Sequence, residues 1–358
     1  DDATAQVFSI GADANGDMVV VERLQEDYGL ELDPEDVLTE GERRALLERP
    51  SSVGGSLRGS AADGEHKDRS LQVITTLDVL VPWTNHAECR NSGLARGCTL
   101  TAQTEVNMRA RIDLAVTETN TAYAESGIDA LLNLVHAYRT DYTEASSDAF
   151  GSALSATRAS AEVGGKRTLY GADVVALIID DSQYCGIGYL GPRTDLMFSV
   201  TAWNCATGYF SFGHEIGHNL GCNHDRGTTG KCTTDTSAFN YGWRDPATDF
   251  RSILAYGCGN NRCSYESTGG CTRVQRFSND EFLYNSKAIG SATADNARHI
   301  NGKVVEVAGY FSSGTPPPTS EPTPVPTPAP TNPPEPTPPP VPVPTNEPTT
   351  GAPTPVPT

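Results

Sequence analysis

The chain has 358 residues, enough for one large domain or two modest ones, and its 45 acidic and 26 basic side chains give a formal charge of −19. Binding a polyanion takes clustered Lys and Arg that release counterions, and no such cluster occurs, so the composition argues against nucleic acid as a partner. All nine cysteines fall between Cys89 and Cys271, the usage of a disulfide-supported domain folded in an oxidising compartment, and no apolar run approaches the length of a membrane span.

In chain order, residues 1–70 are acidic, with 17 Asp and Glu against 7 Lys and Arg. They contain a strand-like piece at 17–21 running on through 22–23, and a helix expected at 36–47 behind Pro34. A Ser- and Gly-rich stretch at 51–60 reads as a linker, which sets a boundary near residue 70 and leaves 1–70 as a propeptide-like segment. The chain starts at Asp1, so a signal peptide is expected to have been trimmed and the protein to be secreted.

From residue 71 the elements alternate. Strands are expected at 71–81, 128–138, 172–179 and 196–203, and helices at 101–126, 147–161 and 293–310. This order predicts an α/β domain over 71–314, with helices on a mixed, mostly parallel twisted sheet. After residue 314 the composition collapses: 20 of the last 44 residues are Pro. A Pro/Thr-rich tail at 315–358 cannot build a core and is expected to be disordered or extended as polyproline II. It reads equally as a stalk, wall-associated or O-glycosylated, and as a plain terminus. No N-x-[ST] sequon is present.

Residues 206–225, ATGYFSFGHEIGHNLGCNHD, carry the chemistry. His214 and His218 stand four apart, which on a helix places both imidazoles on one face as two ligands of one metal require. Glu215 projects near the same face without being a ligand, where a carboxylate can serve as general base towards water activated by the ion. Gly221 lets the chain leave the helix sharply so that His224 returns as the third ligand. Three neutral His ligands leave one tetrahedral position open, the pattern of a catalytic Zn2+ site.

The run HEIGHNLGCNHD resembles the zinc-binding segment of the metzincin peptidases, and its final Asp is similar to that of the reprolysin or adamalysin branch. YCGIGYLG at 184–191, SILAY at 252–256, RFSND at 276–280 and TADNARHIN at 293–301 resemble microbial reprolysin-like peptidases, including the peptidyl-Asp endopeptidase type. The likeness spans about 71–312. It implies a metzincin-like catalytic domain with an active-site helix and a C-terminal helix, acting as a secreted zinc endopeptidase on protein or peptide substrates. It also implies that Leu254 stands where the family's turn beneath the zinc has Met, a volume-conserving change costing under about 1.5 kcal/mol. Tyr256 matches a Tyr that stabilises the oxyanion in some members, with an ordinary packed Tyr as the equal alternative. Asp225 is expected to anchor the turn after His224 through backbone hydrogen bonds. The strand at 196–203 resembles the edge strand on which metzincins lay an extended substrate.

Local spacing favours the disulfides Cys89–Cys98 and Cys263–Cys271, and the resemblance suggests Cys185–Cys205. Cys222 is either a bridge anchor, with Cys232 or Cys258 as partner, or a buried thiol. His66, His86, His136 and His299 lack ligand spacing and are expected at the surface or as core filling. No cysteine precedes Cys89 to plug the metal from the acidic segment, whose role stays open between inhibitor, folding aid and inert leader. A monomer is expected, and whether calcium supports the domain is left open. The competing reading is a catalytically silent adhesion or wall-binding module, against which Glu215 speaks, because such a module has no need of a carboxylate beside three ligands.

Overall fold

The computed structural model describes residues 6–12, 18–24, 30–31, 73–145, 149–232, 237–245, 247, 250–258 and 271–311. The helix expected at 36–47, the linker at 51–60, His66, Cys263 and the tail from 315 lie outside them. Strands β1 (Gln6–Ala12) and β2 (Met18–Leu24) form an antiparallel hairpin. Strand β3 (Leu30–Glu31) follows and joins the main sheet.

The sheet-building part runs β4 (Thr75–Trp83), α1 (Asn85–Asn91), α2 (Ala102–Glu125), β5 (Ala130–Arg139), α3 (Ala149–Ala159), α4 (Ala161–Tyr170), β6 (Val174–Ile179), β7 (Tyr184–Gly188) and β8 (Phe198–Ala202). Next come α5 (Ser211–Asn219), α6 (Arg226–Thr229), the short strands β9 (Phe250–Arg251) and β10 (Thr272–Arg273), the β11 (Asn279–Tyr284) and β12 (Lys287–Ile289) hairpin, and the helices α7 (Asn296–Asn301) and α8 (Val304–Val307). The six-stranded sheet has the order β3-β7-β8-β6-β4-β5. Every pairing in it is parallel except β7 with β8. This is a mixed α/β fold with a mostly parallel sheet.

Local chemistry accounts for the elements. The hydroxyl of Thr101 caps α2 through a reciprocal box with Thr104, and the helix buries Met108, Ile112, Ala115, Ala122 and Tyr123 along one stripe. Strand β6, VVALII, is buried at all six positions, as befits a parallel strand covered on both faces. One face of the sheet packs against α2 and α5 through Val79, Val81, Ile112, Phe212 and Ile216. The other face covers Phe150, Leu154, Val175, Leu177 and Val200 beneath α3 and α4.

The helix expected at 147–161 forms as α3, and a helix that was not expected, α4, follows it: Ser160 leaves the helical region (ψ 123°) and its hydroxyl accepts from Val163 N–H to start α4, despite the weak helix formers Gly164 and Gly165. Three expectations need correction. The helix expected at 293–310 breaks after α7 at Gly302 and Lys303. The strand before the histidine motif is not an edge: β8 lies between β6 and β7, and the outer strand on that side is β7, to which β3 adds. Finally, Cys271 pairs with Cys258, not Cys263. Strand β10, which begins just after Cys271, pairs with β9, and this brings Cys258 and Cys271 to a Cα separation of 5.6 Å, within bridging range.

The Cys89–Cys98 and Cys185–Cys205 bridges are formed, the second fastening β7 to the loop ahead of α5. Cys232 is also disulfide-bonded. Cys222 is a free, fully buried thiol. Among the described residues no helix is long and apolar enough to cross a membrane.

Candidate metal centre

Helix α5 is buried along its whole length, so its side chains are fixed by packing on all sides rather than on one stripe. His214 and His218 are one turn apart, with their Nε2 atoms 3.0 Å from each other. At Leu220 the helix stops, and Gly221 adopts φ +93°. A Cβ there would lie 2.8 Å from the Gly191 carbonyl oxygen and 2.7 Å from His299 Nε2, so both conformation and space demand glycine. The reversal brings His224 Nε2 to 3.2 Å from that of His214 and 3.0 Å from that of His218. All three imidazoles are 1% exposed or less.

Their outer nitrogens decide the tautomers. His214 Nδ1 lies 2.8 Å from the Ile253 carbonyl oxygen and His218 Nδ1 lies 2.7 Å from that of Cys222. A carbonyl only accepts, so each Nδ1 carries the proton and each Nε2 turns a lone pair inwards. Two inward lone pairs and a third nitrogen at about the same spacing cannot satisfy one another by hydrogen bonding. A cation between them can. Zinc–nitrogen bonds of about 2.0–2.1 Å in tetrahedral geometry set ligand nitrogens roughly 3.3 Å apart, close to the separations here. The residues present therefore fit the ion, and among the described residues they are the His, Cys, Asp and Glu grouping able to hold one.

Glu215 is fully buried beside them. Gly186 and Gly188, two apart on β7 and hence on one face, make room for it. A Cβ on Gly186 would come within 2.7 Å of Glu215 Cγ and Cδ and closer still to Oε1, and one on Gly188 would lie 2.8 Å from the Glu215 carbonyl oxygen. Asn219, in the last turn of α5, donates to the carbonyls of Tyr189 and Phe198, both at 2.9 Å, and holds the helix against the β7–β8 pair. Sequence reading passed over these three residues. The alternating glycines of YCGIG were the available signal.

The chain at 252–256 passes beneath the histidines. Ile253 supplies the carbonyl that orients His214, and Leu254, fully buried, packs against Gly217, where a Cβ would meet its Cδ2 at 2.9 Å. Asp225 caps α6 by accepting from Thr228 N–H at 2.9 Å, accepts from Tyr256 N–H at 3.0 Å, and pairs with Arg244 at 3.0 Å. It thus ties the residue after His224 to the turn below. The Tyr256 ring lies 4.1 Å from that of His224, centroid to centroid.

The remaining histidines stand apart from this cluster. His86 pairs with Glu144 at 2.8 Å and His136 stacks on Tyr170 at 4.0 Å. His299 packs under Gly221, where burial and then Lys303 push its pKa down to about 4, leaving it neutral. Ahead of α5, Glu118 accepts from Gly208 N–H at 2.9 Å, and burial pushes its carboxyl up to about 7 against that hydrogen bond and Arg111.

Comparison with known proteins agrees with this geometry. Residues 80–264 match the family model described as metallo-peptidase family M12. A Peptidyl-Asp metalloendopeptidase of Stenotrophomonas maltophilia is 31% identical over 282 residues, which cover 75% of this chain and 61% of that protein. One from Xanthomonas campestris is 31% identical over 242 residues, covering 66% of this chain and 52% of that protein. The chain therefore spans between half and two thirds of the length of these relatives.

Proposed function

Because the chain belongs to metallo-peptidase family M12, we propose that it is a zinc-dependent endopeptidase with a metzincin-like catalytic domain over residues 71–314. The observation that carries the reading is the convergence of His214, His218 and His224 on one point, with two of the three tautomers set by backbone carbonyls. These residues would hold the zinc. When bound, the ion supplies Lewis acidity that polarises the scissile carbonyl and acidifies water.

The chain's own residues do the rest. Glu215 takes the proton of the attacking water and returns it to the leaving amine; its fully buried setting keeps the carboxylate aimed without reorganisation. Tyr256, against His224, offers a phenol to the developing oxyanion. Gly221, Asp225 and Leu254 fix the ligands from behind. An extended peptide would pair with β7 by main-chain hydrogen bonds, alternate side chains entering pockets. The relatives are named for peptidyl-Asp cleavage, and we extend that preference to this chain.

Residues 1–70 are read as a propeptide. Leu30 and Glu31 pair in parallel with Tyr184 and Gly186 of β7, which supports reading the acidic segment as occupying the strand edge a peptide would need and the protein as a zymogen. Disulfides and the lack of a membrane-spanning helix among the described residues fit an extracellular protein, and we read it as secreted and monomeric, with 315–358 as a stalk.

The test is digestion of a denatured protein mixture by the purified full chain, before and after limited proteolysis. Chelation should abolish cleavage and zinc restore it, and Glu215→Ala should keep the metal, by elemental analysis, yet cleave nothing. Cleavage by that variant at the parent rate, or folded protein that binds no metal, ends the proposal.

A further inference from the structure

A cavity of about 640 Å³ opens where α3, α4, the loop ahead of β8 and the chain beyond α8 meet, and Arg158, Arg167, Arg193, Asp195, Phe198 and Phe311 are among the side chains lining it. Arg167 is 4% exposed and donates to three backbone carbonyls: Nε to Ala172 at 3.1 Å, Nη1 to Thr194 at 2.8 Å and Nη2 to Asp173 at 2.6 Å. Its guanidinium also lies against the rings of Phe198 and Phe311, 4.9 and 4.2 Å from their centroids. Arg193 grips the Asp195 carboxylate with Nε at 3.0 Å and Nη2 at 2.7 Å, and Arg158 reaches the same carboxylate at 3.0 Å. Thr194, whose carbonyl holds Arg167, stands between Arg193 and Asp195, so three guanidinium groups converge on three consecutive residues.

A guanidinium carries five N–H donors. Arg167 keeps two beyond its three carbonyls, and Arg193 keeps both on Nη1, which has no acceptor among the described residues. Among the described residues no carboxylate lies within hydrogen-bonding distance of Arg167: Asp173 turns its oxygens to the N–H groups of Asp78 and Phe311. Burial draws the Arg167 pKa down to about 10 against the pull of Asp173 and Asp195. Glu306, the other acid of the lining, is bonded to Lys303 at 3.3 Å and to the Tyr310 hydroxyl at 3.0 Å. An oxyanion in this cavity gains charge-assisted hydrogen bonds from forks already held in place by backbone and rings. A phosphate or sulfate group has at least three free oxygens for donors arriving from different sides, where a carboxylate has two. The volume falls in the range of small-molecule sites, about 300–1,000 Å³, which leaves room for a molecule that carries the group.

We propose that Arg167 and Arg193 bind a phosphate or sulfate group. The test is calorimetric titration and thermal unfolding of the zinc-loaded full chain at fixed ionic strength, with glucose 6-phosphate, glucose 6-sulfate, inorganic phosphate and inorganic sulfate as probes and glucose and acetate as controls. The four probes should bind and glucose should not. Esters that bind more tightly than the free ions identify a carried group as the source, and the reverse order identifies the free ion. Arg193→Met, at a side chain 25% exposed, should weaken every probe about tenfold or more, the worth of a charge-assisted hydrogen bond. Arg193→Lys, which keeps the charge without the fork, should fall between. Arg167→Met should act as Arg193→Met does if it folds, and the Arg193 variants decide the matter if it does not.

Acetate binding as tightly as sulfate overturns the choice of a tetrahedral group. Probes that give neither heat nor a rise in melting temperature at millimolar concentration overturn the proposal. Equal binding by parent and folded Arg193→Met overturns it too, tracing the effect to the metal centre or to salt in general. Peptide cleavage is no part of the readout, so failure here leaves the endopeptidase reading intact.

Discussion

Gly186→Ala is a sharp test of how Glu215 is held. The new methyl carbon would sit 2.7 Å from Glu215 Cγ and Cδ, whereas carbon atoms rest at about 3.5–4.0 Å, so something must yield by about 1 Å. Strand β7 cannot easily retreat, being pinned to β8 through Gly186↔Thr201 and by the Cys185–Cys205 bridge. The carboxylate is therefore what moves. Overpacking of this kind costs about 1–3 kcal/mol of stability, and a displacement of about 1 Å at a reacting group costs on the order of 100-fold in rate. Gly188→Ala makes the contrast, because its methyl would lie 2.8 Å from the Glu215 backbone oxygen, a clash no rotamer relieves. Steady-state kinetics on a peptide substrate, thermal unfolding and zinc content separate the two: the first variant loses mainly kcat, the second mainly thermal stability. A folded, metal-replete Gly186→Ala protein with kcat within threefold of the parent would show that β7 does not position the carboxylate.

Asp225→Ala removes the α6 cap, the partner of Tyr256 N–H and the partner of the largely buried Arg244, and should cost about 3–5 kcal/mol in denaturant unfolding; a loss below about 1 kcal/mol refutes its anchoring role. Leu254→Met should be tolerated within about 1.5 kcal/mol, while Leu254→Ala should cost about 2–5 kcal/mol and speed metal loss to a chelator, both readable by calorimetry and competition dialysis. For pH, the Glu118 carboxyl keeps its proton up to about 7 in the folded chain, against about 4.3 when unfolded. The folded state binds the extra proton in that window, so this group makes stability decline as pH rises through it. Glu118→Gln, which can still accept from Gly208, should flatten the melting temperature between pH 5 and 7; an unchanged slope would remove Glu118 as its source.

The convergence of the three histidines was legible because their spacing is geometric: four residues make one helical turn, and a glycine must follow if a third imidazole is to return. The long capped helix α2 and the uniformly apolar strand β6 were equally plain. Strand β7 was hidden because its five residues include two glycines, which score as turn formers, although their use is to admit Glu215. Helix α4 was missed because Gly164 and Gly165 are poor helix formers, although the Ser160 hydroxyl caps its start. Neighbours in the chain misled the assignment of Cys271, since its partner is fixed by the β9–β10 pairing. The interior position of β8, between β6 and β7, is a property of sheet order, which no local pattern in the strand before the motif contains.

The turn at 252–256 is held in three directions at once, by Ile253 to His214, by Ala255 to Arg251 and by Tyr256 to Asp225. A segment tied this way releases His214 only when all three ties give way together. Exchange of an ion at this centre should then be gated by a cooperative, near-global fluctuation, and the stripping rate should stop depending on chelator concentration once that fluctuation limits it. Whatever raises the unfolding barrier elsewhere in the domain will lengthen the residence time of the metal by the same factor.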